Sequence, residues 1–78
     1  MQLAEATRKR ILHLLKIQNK KPYDLSRKAG ISLPTLLDFM RGDTKNLRMD
    51  TVLHICEGFN ITLAEFYSDK LFDDVISE

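Results

Sequence analysis

The amino-acid sequence predicts an all-α protein, a compact bundle of five helices in a single domain over residues 1–78. Three observations favour this fold class. Apolar residues recur at spacings of three and four, as on one face of an α-helix. Glycine, proline and capping residues divide the chain into short helical segments. No segment alternates apolar and polar residues with the period of a half-buried strand, so we expect no sheet.

Two helices are predicted before residue 30. The first extends from Ala4 or Thr7 to Gln18, because its apolar residues follow helical spacing. The second begins at Pro22, since a proline in the first helical turn lacks only an N–H that has no partner there. It ends before Gly30, because glycine readily takes the positive φ that turns a chain out of a helix.

The third helix has a start signal and a stop signal. Ser32 is a good N-cap, and Pro34 again suits a first turn. Leu36 and Phe39 lie three apart and are expected to face the core. Gly42 closes the helix.

Two further helices follow a polar loop over residues 43–46. Apolar residues at helical spacing predict the fourth helix over residues 49–58. The fifth begins with Thr62 and Glu65, a pair typical of the capping box, in which each side chain accepts a hydrogen bond from the other residue's backbone.

The C-terminal segment, residues 68–78, is acidic and apolar. Its apolar side chains would form a stripe on a short sixth helix, since they are spaced one and four apart. This stripe has two interpretations: it folds back onto the first helix, or it is the seam of a homodimer. The four residues of the stripe are Leu71, Phe72, Val75 and Ile76.

Charge is distributed unevenly along the chain. The first 48 residues carry eleven Lys or Arg and four Asp or Glu, a net charge of +7, whereas the last 30 carry one Lys and seven acidic residues, a net charge of −6. Such a division favours a basic face that meets a polyanion, with an acidic end held away from it. The alternative is that both ends are merely solvated.

Several classes of protein are disfavoured by the sequence. No apolar run could span a bilayer, the N-terminus lacks a signal-peptide pattern, and the single Cys56 has no partner for a disulfide, so we expect a cytoplasmic protein. His13, His54 and Cys56 lack the spacing of a metal site. Because the chain also lacks a phosphate-binding loop and a catalytic triad, we expect no enzyme, no cofactor and no small-molecule ligand.

The segment between Lys21 and Arg41 carries the functional signal. Two short helices joined by a glycine turn form the helix-turn-helix arrangement. Leu25 and Ala29 are apolar where the two helices would touch, Gly30 occupies the turn, and a small Ser26 stands where the helices would cross closely.

This segment resembles a known family. Residues 25–42, LSRKAGISLPTLLDFMRG, are similar to the core of the Cro/C1-type (Xre) helix-turn-helix regulators, and residues 50–66 resemble the last two helices of that family. The resemblance covers residues 8–67. It implies a lambda-repressor-like bundle whose third helix enters the major groove of double-stranded DNA while the second helix lies across the backbone.

The resemblance also implies two groups of contact residues. The outward residues of the third helix would read base edges. They are Ser32, Leu33, Pro34, Thr35, Leu37, Asp38 and Arg41. A second group around the second helix and the following loop would contact phosphates. Its members are Lys20, Lys21, Tyr23, Lys45 and Asn46.

The reading surface departs from the family pattern. The side chains of Leu33, Pro34 and Leu37 cannot hydrogen-bond a base, and Asp38 is negative in a groove lined by phosphates. The two leucines could pack on thymine methyl groups, and Asp38 could accept from cytosine N4. The alternative is that the leucines form a protein-facing surface.

Two functions therefore stay open. The first is sequence-specific DNA binding by a small transcriptional regulator, a repressor in the simplest case. The second is a helix-turn-helix module used mainly for protein contact, such as an antitoxin or a phage-control partner. The uneven charge distribution favours the first, and the apolar, acid-bearing third helix keeps the second open.

Overall fold

The computed structural model describes residues 1–43 and 46–77, and this part of the chain forms five α-helices and one short 3₁₀ helix. The predicted all-α fold is confirmed; the one β-type contact here is an isolated bridge between Gln2 and Ile76. No helix in the described part of the chain is long and apolar enough to cross a membrane. The α-helices are α1 (Leu3–Ile17), α2 (Pro22–Ala29), α3 (Leu33–Arg41), α4 (Met49–Phe59) and α5 (Leu63–Tyr67).

The start of α1 lies earlier than the sequence predicts. The helix begins at Leu3, and the buried Thr7 donates from its hydroxyl to the Leu3 carbonyl at 2.8 Å, inside the first turns. The helix ends at Ile17, and Asn19 takes a φ of 53°. Asn19 thus turns the chain out of α1, because asparagine tolerates the left-handed region better than most side chains.

The predicted capping signals are confirmed at several helix ends. The Ser32 hydroxyl accepts from the Thr35 backbone N–H at 3.3 Å at the start of α3. Gly30 and Gly42 close α2 and α3 with φ values of 69° and 86°. The Thr62 capping box is also present, since Glu65 accepts from the Thr62 backbone at 2.8 Å. Part of the predicted loop, Thr44 and Lys45, lies outside the described residues.

The core is formed by the apolar stripes that the sequence predicts. Leu36 and Phe39 face inward from α3, and Phe66 does so from α5. Leu12, which borders the stripe of α1, is 55% exposed. The buried core cluster consists of Ala4, Ile11, Leu14, Leu15, Leu25, Ala29, Leu36, Phe39, Val52, Ile55, Cys56, Phe59 and Phe66.

The segment after α5 is not a sixth α-helix. It makes a single 3₁₀ turn, Lys70–Phe72, because the Asp69 carboxylate caps that turn by accepting from the Leu71 N–H at 2.9 Å. The Ile76 N–H then bonds the Met1 carbonyl at 3.1 Å. Of the two interpretations of this segment, folding back onto the first helix is therefore the one observed within the chain.

The four residues of the expected apolar stripe are thus distributed differently from a helical face. The Phe72 ring packs against Phe66 and Tyr67, with centroid distances of 6.0 and 4.9 Å. Leu71 and Val75 are half-buried, while Ile76 is 64% exposed. Only Leu71 and Phe72 belong to the 3₁₀ turn, so the spacing of the four residues does not bring them onto one helix.

Candidate nucleic-acid interface

The turn between α2 and α3 is fixed by backbone hydrogen bonds. The Ile31 N–H donates to the Ser26 carbonyl at 3.1 Å, around Gly30 in its left-handed conformation. Ser26 is buried, and its hydroxyl donates to the Tyr23 carbonyl at 2.7 Å. This small side chain therefore has its hydrogen-bond partner within α2. Because Leu25 in α2 and Leu36 and Phe39 in α3 are all buried, the two helices are held against the core at a set angle.

The start of α3 presents three exposed side chains. Ser32, Pro34 and Thr35 are all solvent-facing. The Ser32 hydroxyl donates to the Thr35 hydroxyl oxygen at 2.7 Å while it also caps the helix. Ser32 is therefore engaged within the protein, whereas the exposed Thr35 hydroxyl can still bond a group outside the protein.

Leu33 and Leu37 are half-buried rather than fully outward. Leu33 borders the inward stripe of Leu36 and Phe39 when the residues are placed at 3.6 per turn, whereas Leu37 lies farther round the helix. Part of each side chain is thus turned toward the body of the protein. The apolar surface that α3 offers to a partner is correspondingly smaller than the sequence suggests.

Arg41 is paired with two carboxylates at the end of α3. Its Nη2 bonds Asp38 Oδ1, and its Nε bonds Asp43 Oδ2 at 3.3 Å. The side chains of Arg41, Asp38 and Asp43 are 60, 45 and 59% exposed, so the whole group lies at the surface. The cation of the predicted reading helix is therefore partly neutralised by its own neighbours.

Lys21 and Tyr23 stand exposed at the start of α2. The Asp24 carboxylate accepts from the Lys21 backbone N–H at 3.0 Å, which leaves the Lys21 ammonium group outside this cap. Arg27 lies over the Tyr23 ring, with its Cζ 5.8 Å from the centroid. The start of α2 thus combines a cation and a hydroxyl with the positive end of the helix dipole, a combination that suits an anion.

Lys20 is held more tightly than Lys21. Its Nζ donates to the Gly58 carbonyl at 3.3 Å, and Gln18 Nε2 donates to the Phe59 carbonyl at 2.9 Å. Both bonds satisfy carbonyls at the C-terminus of α4, which have no partner within the helix. Partial burial, and then the nearby Lys28 ammonium, lower the pKa of Lys20 from its ordinary value.

The two remaining predicted phosphate contacts are placed differently. Asn46 is exposed and lines a shallow groove with Leu3, Ile76 and Ser77, beside the chain ends. Lys45 lies outside the described residues. The structure therefore groups Lys20 and Lys21 at the junction of α1 and α2, and places Asn46 next to the C-terminal segment.

Two arginines of α1 have structural roles that sequence reasoning missed. Arg8 Nε donates to the Phe39 carbonyl at 2.8 Å, with its Cζ 5.1 Å from the Phe39 ring centroid. Arg10 is buried and donates to the carbonyls of Phe66 and Glu65 at 2.7 and 2.8 Å. A signal was present, because Arg10 lies four residues before the core residue Leu14 and so falls on the apolar stripe.

Comparison with known proteins agrees with this geometry. A family model described as the Cro/C1-type HTH DNA-binding domain matches residues 10–70, well over half of the chain. No curated protein and no solved structure matches the chain significantly.

Proposed function

Because the chain belongs to the Cro/C1-type helix-turn-helix family of DNA-binding regulators, we propose that it recognises a specific sequence of double-stranded DNA and represses transcription there. The match to the family model includes the whole of α2 and α3. Beyond the family assignment, we propose the sequence specificity, the repressor role and the residues responsible for both.

The observation that carries the proposal is the placement of α3. The helix is anchored by buried Leu36 and Phe39, begins at the Ser32 cap and ends at the Gly42 turn, and it keeps Thr35 and Arg41 at the surface. A helix of this length held rigidly on one side can enter the major groove with its first turns against base edges.

Within α3, we assign base contacts by chemistry. Thr35 has a hydroxyl hydrogen to donate, and Arg41 can bond the N7 and O6 acceptors of guanine. The half-exposed Leu33 and Leu37 offer methyl groups to thymine, and Asp38 can accept from cytosine N4. Ser32 and Pro34 complete the surface, with Ser32 acting chiefly as the helix cap.

The backbone contacts are assigned to the start of α2. Lys21, Tyr23 and the amide groups of the first turn of α2 would contact phosphates and set the register of α3 in the groove. Lys20 would add charge from its position on the α4 carboxyl end. Asn46, with Lys45 before it, would contact the backbone on the other side of α3.

The proposed function is tested by DNA binding across a salt series. We expect the protein to bind a short random-sequence duplex at low salt, with log affinity falling linearly with log salt, because each phosphate contact releases counterions. Lys21→Ala should weaken binding to all sequences and reduce the slope by about one. Lys70→Ala, the matched control on the acidic segment, should leave the slope unchanged.

Sequence preference is tested by selecting bound DNA from a random pool. Arg41→Ala and Leu37→Ala should change the selected sequence, whereas Lys21→Ala should not. An absence of binding at low salt by the folded protein would exclude this function and favour a helix-turn-helix used for protein contact.

We also propose a homodimer that reads a palindrome through two copies of α3. Its support is the exposed apolar pair formed by Leu3 and Ile76, which are 46 and 64% exposed and line the same groove. Phe72, in contrast, is packed within the monomer.

A further inference from the structure

We infer that Asp38 and Asp43 are specificity-determining residues: their carboxylates hold Arg41 by one edge, which keeps the guanidinium away from the DNA backbone and directs its free end at a base. This inference rests on the proposed function, since it requires α3 to lie in the major groove.

The carboxylates of Asp38 and Asp43 both bond Arg41, and we call this group of three side chains the clamp, because it can fix the orientation of the guanidinium. Within the described residues, Arg41 uses its Nε for Asp43 and its Nη2 for Asp38. A guanidinium has five N–H donors in a rigid plane, so these two bonds occupy the side edge and leave the Nη1 end available. That end can still bond two acceptors, as the N7 and O6 of guanine provide.

Helix spacing and a backbone turn bring the two carboxylates to Arg41. Asp38 lies three residues before Arg41, a spacing at which side chains on a helix meet. Gly42 then takes a φ of 86°, and the Asp43 N–H donates back to the Asp38 carbonyl at 2.9 Å. This turn reverses the chain, so the Asp43 side chain reaches Arg41 from beyond the helix end.

The two carboxylates offset the positive charge of Arg41. Asp38 and Asp43 both pair with this single guanidinium. A group of side chains without net positive charge contributes little general attraction to phosphates, so whatever Arg41 adds to binding depends on the base it meets.

Stability does not explain the cluster. All three side chains of the clamp are at least 45% exposed. Ion pairs between such exposed groups contribute little to folding. A pair of carboxylates on a surface that approaches DNA phosphates is unfavourable for affinity, and selectivity is the property that it can improve.

The test is a double-mutant cycle on DNA binding. The variants are Asp38→Asn and Asp43→Asn, each made in the natural chain and in an Arg41→Gln background. Binding is measured across a salt series to an alternating dA·dT duplex, which contains no guanine, and to the duplex selected by the natural protein. Asp50→Asn is the matched control, because Asp50 lies in the first turn of α4, is 58% exposed and pairs with the N-cap residue Arg48.

We expect each carboxylate variant to raise affinity for the dA·dT duplex by up to about fivefold. The salt slope should steepen by about one, since the released Arg41 gains a phosphate contact. The preference for the selected duplex should fall accordingly. In the Arg41→Gln background both changes should be much smaller, because only the relief of repulsion between the carboxylate and the phosphates remains. Asp50→Asn should have no effect in either background.

Equal effects in both Arg41 backgrounds would show that the carboxylates act by simple repulsion, which overturns the clamp while DNA binding stands. Unchanged binding in the natural background would overturn it as well. Failure of every variant and of the natural protein to bind DNA would instead overturn the proposed function, and the clamp with it. Asp43→Asn lies outside α3, so it repeats the test if Asp38→Asn perturbs the helix.

Discussion

Arg10 is a buried cation that joins α1 to the far end of the chain. Its guanidinium donates to the Phe66 and Glu65 carbonyls and forms an ion pair with Asp69 at 3.2 Å. The helix α5 has only five residues, so its last carbonyls depend on partners from outside the helix. Arg10 supplies them and also holds Asp69, which caps the 3₁₀ turn.

Replacing Arg10 by methionine should therefore be costly. Arg10→Met retains most of the apolar volume but removes the guanidinium donor from the Phe66 and Glu65 carbonyls and from the Asp69 carboxylate. Asp69 then keeps the Leu71 N–H, and Glu65 keeps the Ser68 N–H. We expect the free energy of unfolding to fall by about 2–4 kcal/mol, measured by urea denaturation followed by circular dichroism.

The neighbouring Lys9 provides the control for Arg10. It forms an i,i+4 pair with Glu5 in which both side chains are about half exposed. Lys9→Met should cost less than about 0.5 kcal/mol. Similar small losses for both variants would contradict the role assigned to Arg10.

Cys56 should give the protein a measurable alkaline pH dependence. Burial raises the pKa of the Cys56 thiol above its ordinary value, because the thiolate is disfavoured in the core. Because this pKa is higher in the folded state, the thiol contributes to the free energy of unfolding, and the contribution is complete at pH values below the unfolded-state pKa. This contribution is lost as the pH rises through the higher folded-state pKa.

We expect the free energy of unfolding of the natural chain to fall above about pH 8.5 more steeply than that of Cys56→Ala. Tyr67, whose pKa burial also raises, titrates in both proteins and largely cancels from the difference. Urea denaturation at a series of pH values provides the comparison. Parallel pH profiles for the two proteins would contradict the buried thiol's contribution.

At the scale of elements, the crossing of α2 and α4 depends on Gly58. A Cβ at this position would stand 2.9 Å from Leu25 Cδ1 and 3.3 Å from the Ala29 backbone nitrogen. Leu25 is fully buried and cannot move aside without displacing other core residues. Gly58 lies inside α4, so the role of this glycine is close approach between helices and not termination.

Gly58→Ala should therefore destabilise the protein although alanine is the better helix former. Overpacking costs about 1–3 kcal/mol, and the gain in helix propensity offsets about 1 kcal/mol of it. We expect a net loss of up to about 2 kcal/mol. The effect should be less than additive with Leu25→Ala, since that change removes the side chain in the way.

Gly30→Ala is the matched control for this crossing. Gly30 has a φ of 69° with no atom within 4 Å of the added Cβ, so its cost is backbone strain alone, about 1–2 kcal/mol. Its effect should add to that of Leu25→Ala. If the effects of Gly58→Ala and Leu25→Ala were additive as well, the close approach of α2 would not be what limits the size of the residue at position 58.

At the scale of the whole molecule, the two chain ends meet next to α1. The N-terminal ammonium donates to the Asp74 carbonyl at 3.2 Å, and the Ile76 N–H donates to the Met1 carbonyl at 3.1 Å. This junction leaves Leu3 and Ile76 exposed side by side, with Asn46 at the same groove. The surface proposed for a dimer therefore consists of both ends of the chain.

Molar mass measured by light scattering at tens of micromolar tests the dimer. We expect the natural chain to have twice its 9.0 kDa monomer mass, and Ile76→Asp to have the monomer mass, because a carboxylate would be buried in the seam. Phe72→Ala should instead lower the stability of the folded chain by about 1–3 kcal/mol and leave the mass unchanged. A monomer mass for the natural chain would exclude the seam.

The sequence alone determined the five α-helices and the pair that makes the helix-turn-helix, whereas the expected sixth helix is a 3₁₀ turn. Gly30, Gly42, Ser32 and the Thr62 capping box act within a few residues of the chain, so their signals are local and could be interpreted directly. The positions of α3 that face outward follow from the same helical period that buries Leu36 and Phe39. The family resemblance rests on this local pattern as well.

Only the tertiary structure decided what the charged and apolar residues outside that pattern contact. Arg10 meets Phe66, Lys20 meets Gly58, and Phe72 packs on Tyr67 instead of lying on a sixth helix. Hydrogen-bond partners and packing distances between segments far apart in the chain depend on how all the helices cross, and no short window contains that information. The helix-turn-helix between Lys21 and Arg41 was therefore predictable from the sequence. The ion pair of Arg41 with Asp43 across the Gly42 turn is seen only in the three-dimensional structure.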